Sequence, residues 1–196
     1  MTTTLGGRWR AALLALLVAS CGGGEPWHAK NVQGIIPDLA FDMTSDEGRE
    51  VHAADVRGEV VLLFFGYTHC PDVCPTTLAR LAGAIRAMGD KGRRVRILFV
   101  TVDPARDPPA LLHGYVKAFS PQATGLRGSE AQLDALCRRY RVAYGRDAAD
   151  QHGDYAVSHS SAVFVFDAEG RARLLIQPEL GAADIAADLA RLVGGA

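Results

Sequence analysis

The stretch "GEVVLLFFGY", Gly58 to Tyr67, holds an unbroken apolar run from Val60 to Phe65. A strand with one wet face alternates apolar and polar residues. A continuous run is what a strand covered on both faces requires. A chain built on such a strand must carry layers of structure on either side of its sheet.

The remaining elements supply those layers. A helical pattern opens at Pro75, Thr76 and Thr77 and runs through Leu78, Leu81, Ile85 and Met88. Gly89 and Gly92 close it. "RVRILFVTVD" is a second buried strand ending at Asp103, and "DPPALLHGYVKAF" a second helix with prolines in its first turn. "ATGLRG" predicts a short third strand, and "SEAQLDALCRRY" a third helix with Ser129 as its N-cap. "SAVFVFDAEGRARLLIQ" reads as an antiparallel hairpin turning around Asp167 to Gly170, and a last helix spans residues 182–192. Strands alternating with helices, then a hairpin and a terminal helix, imply an α/β fold with a mixed central β-sheet flanked by helices.

At 196 residues, 48% hydrophobic and 22% charged, the chain has material for one globular core. Its net charge of −1, with both signs interspersed, offers no surface for nucleic acid.

The N-terminus is a different kind of segment. Arg8 and Arg10 precede the apolar run Ala11 to Ala19, which is followed by Ser20 and Cys21. A charged region before a short apolar one is an export signal, too short to span a bilayer. "LVASC" resembles a bacterial lipobox, so residues 1–20 read as a lipoprotein-type signal peptide and Cys21 as the lipidated first residue of the mature chain. Residues 21–34, beginning "CGGGEP", read as a tether, and residues 35–196 as one domain. The expected location is a membrane surface, lipid-anchored and facing the periplasm or extracytoplasmic space.

Outside the cytoplasm paired cysteines oxidise unless a metal or reductant holds them. Setting Cys21 aside leaves Cys70, Cys74 and Cys137, an odd number. Cys137 shares a helical stripe with Leu133, Leu136 and Tyr140, which is a core position. Cys70 and Cys74, in "FFGYTHCPDVCPTTL", stand where the first long strand gives way to its helix, the arrangement expected of a thioredoxin-like fold. If the helix begins near Cys70, the two sulfurs sit one turn apart on one face, and the helix N-terminus favours the thiolate. Lower thiol pKa serves nucleophilic attack and metal ligation alike. Redox pairs on this fold use two intervening residues, whereas here there are three. A crosslink of so short a span would constrain the unfolded chain little. Metal and redox chemistry both remain open on the spacing.

A third ligand was sought among six histidines. His28, His52, His113 and His152 read as solvated or capping side chains. His69 adjoins Cys70, but adjacent side chains diverge, so it is better placed to support than to ligate. His159, in "YAVSHSSAVFVFD", stands just before the apolar run of the hairpin strand. Two thiolates and one imidazole suit copper first and zinc second. A peroxide-reducing variant would need an arginine near the nucleophile, and the nearest in sequence is Arg80.

"FFGYTHCPDVCPTTL", "VDPARDPP" and "YAVSHSSAVFVFD" together resemble the Sco/SenC family of copper-binding assembly factors, over nearly the whole mature chain. The resemblance implies a thioredoxin-like fold binding one copper ion, Cu(I) or Cu(II), at Cys70, Cys74 and His159. It further implies a role in maturing the dinuclear copper centre of cytochrome c oxidase, by copper delivery, by thiol reduction of the target, or by both. The implied partners are the oxidase's copper-centre subunit and other copper chaperones. Asp103 and Asp107 match the family's VDPxRD element and are expected to shape the loop beside the site. Ser158 departs from the aspartate frequent before the family's histidine, and Gly22 is not the residue expected for a lipoprotein held at the inner membrane. The alternative reading is a thiol–disulfide oxidoreductase in which Cys70 attacks and Cys74 resolves, without a metal.

Overall fold

A computed structural model describes residues 25–148, 155 and 157–195. The long apolar run becomes strand β4 (Val60–Gly66), buried at every position. It is the centre of an eight-stranded sheet with the order β1-β10-β9-β4-β5-β6-β2-β3. The other strands are β1 (Lys30–Asn31), β2 (Asp42–Ser45), β3 (Glu50–His52), β5 (Val95–Thr101), β6 (Ala123–Arg127), β9 (Val163–Phe166) and β10 (Ala172–Ile176). β4, β5 and β6 run parallel, while β9 lies antiparallel on the other edge of β4. The sheet is therefore mixed, as expected.

Val60, Leu62 and Phe64 face one core, shared with α1 (Val73–Ala87), α2 (Pro109–Phe119) and α4 (Ala182–Val193). Val61, Leu63 and Phe65 face a second core, shared with α3 (Glu130–Tyr140) and with Leu39 and Phe41. Leu62, Leu63, Phe64 and Phe65 are all 0% exposed, and each such side chain contributes about 1.5–3 kcal/mol relative to standing in water. This two-sided burial is why the strand shows no alternation.

Helix boundaries follow local chemistry. Ser129 caps α3 as expected: its hydroxyl accepts from the Gln132 N–H, while the Gln132 side chain accepts from the Ser129 N–H. Gly170 closes the β9–β10 turn at φ 73°, a conformation that favours glycine. α1 opens at Val73, two residues before the predicted start at Pro75, with Asp72 as N-cap. Pro75 sits in the first turn, where its missing N–H breaks no helical bond.

The described part of the tether or N-terminal extension, residues 25–34, lies on the fold. β1 pairs with β10, and the N–H groups of His28 and Ala29 donate to the buried carboxylate of Asp188 on α4. Trp27 packs against the first core and stacks under the Arg191 guanidinium at 3.8 Å. His159, before the apolar run of β9, ends a separate short strand, β8 (Val157–His159), paired antiparallel with β7 (Tyr144–Arg146). Cys21 and the signal segment lie outside the described residues. Among the described residues no helix is long and apolar enough to cross a membrane.

Candidate metal centre

β4 delivers the chain to the carboxyl end of the sheet, where parallel α/β folds place their sites. From Gly66 it turns through Tyr67–Asp72 into α1. Cys70 lies in this turn rather than on the helix, its N–H donating to the Tyr67 carbonyl at 3.3 Å. Cys74 stands in the first turn of α1, where backbone N–H groups lack helical partners. Its N–H donates to the sulfur of Cys70 at 3.4 Å. The expected meeting of the two cysteines is thus made, but across a loop–helix junction instead of along one helix face.

The two sulfurs have different surroundings. Cys74 is 0% exposed, and Cys70 is partly open to solvent. Burial pushes the Cys74 thiol far above its ordinary range, and a backbone hydrogen bond from Tyr67 opposes that shift. The nearby Cys70 raises the pKa of the Cys74 thiol as well. Space for this sulfur depends on Gly66, since a Cβ there would come within 2.8 Å of it. Cys70, Cys74 and Cys137 are all free thiols. Cys137 is buried in the second core, as its helical stripe predicts.

A buried polar network holds the turn. Asp107, 0% exposed, accepts from the Thr68 N–H, from the Thr68 hydroxyl at 2.6 Å and from the Thr101 hydroxyl at 2.5 Å. Asp103, also 0% exposed, accepts from Arg106 Nε at 2.5 Å and from the Tyr155 hydroxyl at 2.8 Å. The Arg106 guanidinium lies 3.6 Å over the Tyr155 ring. Both carboxylates are occupied by internal donors, so they shape the loop, as expected of the VDPARD element.

β8 reaches this loop through its backbone: the Val157 N–H donates to the Tyr67 hydroxyl at 3.5 Å. His159 follows two residues later, with Tyr144 as its Cα partner. The neighbouring Ser158 hydroxyl donates to the Gly145 carbonyl at 3.3 Å. Tyr67, Tyr155 and Thr68 were not singled out from sequence, although each lies in or beside a quoted motif. Their hydroxyls meet partners distant in the chain, which spacing alone does not reveal.

Three of the other histidines pair with carboxylates away from the cysteines. His28 Nδ1 lies 3.0 Å from Asp188, His52 Nδ1 2.6 Å from Asp42, and His113 Nδ1 3.3 Å from Asp46. His152 lies outside the described residues. Burial lowers the pKa of Arg80, the arginine a peroxide-reducing variant would call on, and the charge of Glu179 opposes that shift.

A cysteine pair at the end of the central strand, on a sheet layered by helices on both faces, makes this a thioredoxin-like thiol protein. Residues 33–194 match the SCO1/SenC family, and the chain belongs to it. The mitochondrial SCO2 homolog of Bos taurus is 38% identical over 169 residues, 85% of this chain and 62% of that one. Mitochondrial relatives are longer, and the chain matches between 39% and 62% of their length. Among solved structures, Bradyrhizobium japonicum ScoI with copper bound is 35% identical, at a TM-score of 0.73 over 80% of this chain and 99% of that one. Arabidopsis thaliana ScoI with copper bound is 31% identical, at a TM-score of 0.75 over 81% and 99%.

Proposed function

We propose that this protein binds one copper ion through Cys70, Cys74 and His159 and acts in maturing the dinuclear copper centre of cytochrome c oxidase. It does so from the extracytoplasmic side of a membrane, held by a lipid on Cys21. The observation that carries the metal reading is the pair of free thiols brought together at the loop–helix junction, one buried and one partly open. Soft sulfur donors select copper(I) over hard cations, which want carboxylate oxygens. Asp103 and Asp107, the carboxylates beside the loop, are already taken up by internal donors. Family membership and the copper-bound relatives support the same ion, and family membership supports the oxidase as its destination.

Both thiols lose their protons on binding and the imidazole must be neutral, so copper binding weakens as pH is lowered. One feature favours a second role as thiol reductant. Cys70 is the more open sulfur and so the one a partner's disulfide can reach, and Cys74, whose N–H contacts that sulfur, is placed to resolve the mixed disulfide.

The test is copper stoichiometry and spectrum after full thiol reduction, for wild type beside His159→Ala. One copper per chain, with a sulfur-to-copper(II) band on oxidation that His159→Ala removes, supports the three-ligand site. No copper retained, with rapid disulfide exchange in both proteins, leaves the pair a redox couple and ends the metal reading.

A further inference from the structure

The hydrogen bonds around Thr68 orient the His69 ring. The Thr68 hydroxyl lies 2.6 Å from Asp107 Oδ1 and 3.1 Å from His69 Nδ1. A carboxylate only accepts, so the single hydroxyl proton of Thr68 goes to Asp107. Thr68 Oγ1 must then accept from His69, which places a ring proton on Nδ1; the neutral imidazole that binds metal therefore carries its lone pair on Nε2. Asp107 Oδ1 itself lies 3.7 Å from His69 Nδ1 and reinforces that choice. This is the arrangement by which proteins prepare a histidine to bind metal: one nitrogen held by a carboxylate or hydroxyl, the other left free. The His69 side chain is 49% exposed, and the next residue is Cys70, the more open of the two sulfurs.

Resting on the copper reading above, we infer that His69 Nε2 is the ligand that first captures copper(I) from a donor and passes it to Cys70, and that receives it again on release. His69 is not a resident ligand of the loaded centre. The step is a ligand exchange: copper(I) stays copper(I), one donor bond breaks as the Nε2 bond forms, and that bond breaks in turn as Cys70 gives its thiol proton to solvent and binds.

A group that only assists passage must change loading and unloading alike. The experiment follows copper(I) transfer between its coloured bathocuproine disulfonate complex and the reduced, detergent-solubilised full chain, in both directions. His69→Ala should slow loading and unloading each by about tenfold while shifting the equilibrium position far less. Thr68→Val, which keeps the imidazole but removes the hydroxyl that sets its tautomer, should slow both in part, and Thr68→Ser should recover most of that loss. Unchanged rates in His69→Ala, with wild type loading normally, overturn this inference and leave the copper reading intact. A loss of equilibrium affinity as large as the loss of rate also overturns it, by making His69 a resident ligand or a structural support. Failure of wild type to take copper removes the function and the relay together.

Discussion

The N–H of Cys74 points at the sulfur of Cys70 across 3.4 Å, tying the first turn of α1 to the loop before it. The two cysteines nevertheless respond differently to substitution, because one is enclosed and the other is not. Cys74→Ser puts a hydroxyl into the apolar pocket and should cost about 1–3 kcal/mol of unfolding free energy. Cys70→Ser keeps an acceptor for the helix N–H near solvent and should stay within about 0.5 kcal/mol of wild type. Both should abolish copper retention against a chelator. Urea titration of the reduced proteins checks the stabilities, and equal costs would mean the Cys74 sulfur is not enclosed.

Gly66 serves the site by what it lacks. A Cβ there would lie 2.8 Å from the Cys74 sulfur and 2.7 Å from the edge of Phe99. Phe99 cannot easily yield, since it packs on Phe64 and Tyr115 with ring centroids 5.7 and 5.6 Å away. Gly66→Ala should therefore cost about 1–3 kcal/mol by overpacking and weaken copper binding by displacing Cys74. Denaturation and a copper competition assay on the one variant read both effects. Normal binding in a destabilised protein would show that the sulfur had not moved.

The Asp107 carboxylate accepts from Thr68 and Thr101. Replacing it with asparagine turns an NH2 group toward those donors in a position that is 0% exposed. Asp107→Asn should lower stability by about 1–3 kcal/mol, and the Thr68 amide should lose protection from hydrogen exchange. Protection at Thr68 equal to wild type would mean that the loop is held by its turn geometry alone.

What could be read in the sequence depended on whether a residue's partner was local. The apolar run of β4, the Ser129 capping box, the turn at Gly170 and the core stripe through Cys137 each declare themselves within a few residues, and each stands as expected. The cysteine pair was legible as a site, but its geometry was not: the helix begins at Val73, which leaves Cys70 in the loop. Short strands β1, β2, β3, β7 and β8 escaped notice because two to four residues carry no periodicity, and their pairing is set by the sheet they join. The same holds for the network through Thr68, Tyr155, Asp103 and Asp107, whose bonds cross up to 52 positions of chain.

The segment before β1 offers a test of how the chain that leads to Cys21 is fastened. The buried carboxylate of Asp188 takes three contacts from it: the His28 N–H at 3.2 Å, the His28 ring at 3.0 Å and the Ala29 N–H at 2.8 Å. Asp184 lies 3.6 Å from the other ring nitrogen. The hydrogen bond to Asp188, aided by the charges of Asp188, Asp184 and Glu25, raises the His28 pKa above its ordinary value of 6.5, against a smaller opposing effect of burial. A histidine with a raised pKa binds its proton more tightly in the folded protein than in the unfolded chain, so its contribution to stability is full below 6.5 and is lost as pH rises through the raised value. The two backbone N–H bonds to Asp188 do not titrate in this range. Wild type should therefore exceed His28→Gln in unfolding temperature at about pH 5.5, and the gap should close by about pH 9. Asp188→Ala removes all three contacts and should release residues 28–31 to hydrogen exchange at either pH. A gap between wild type and His28→Gln that stays constant across that range would show that the imidazole acts there by packing, not by charge.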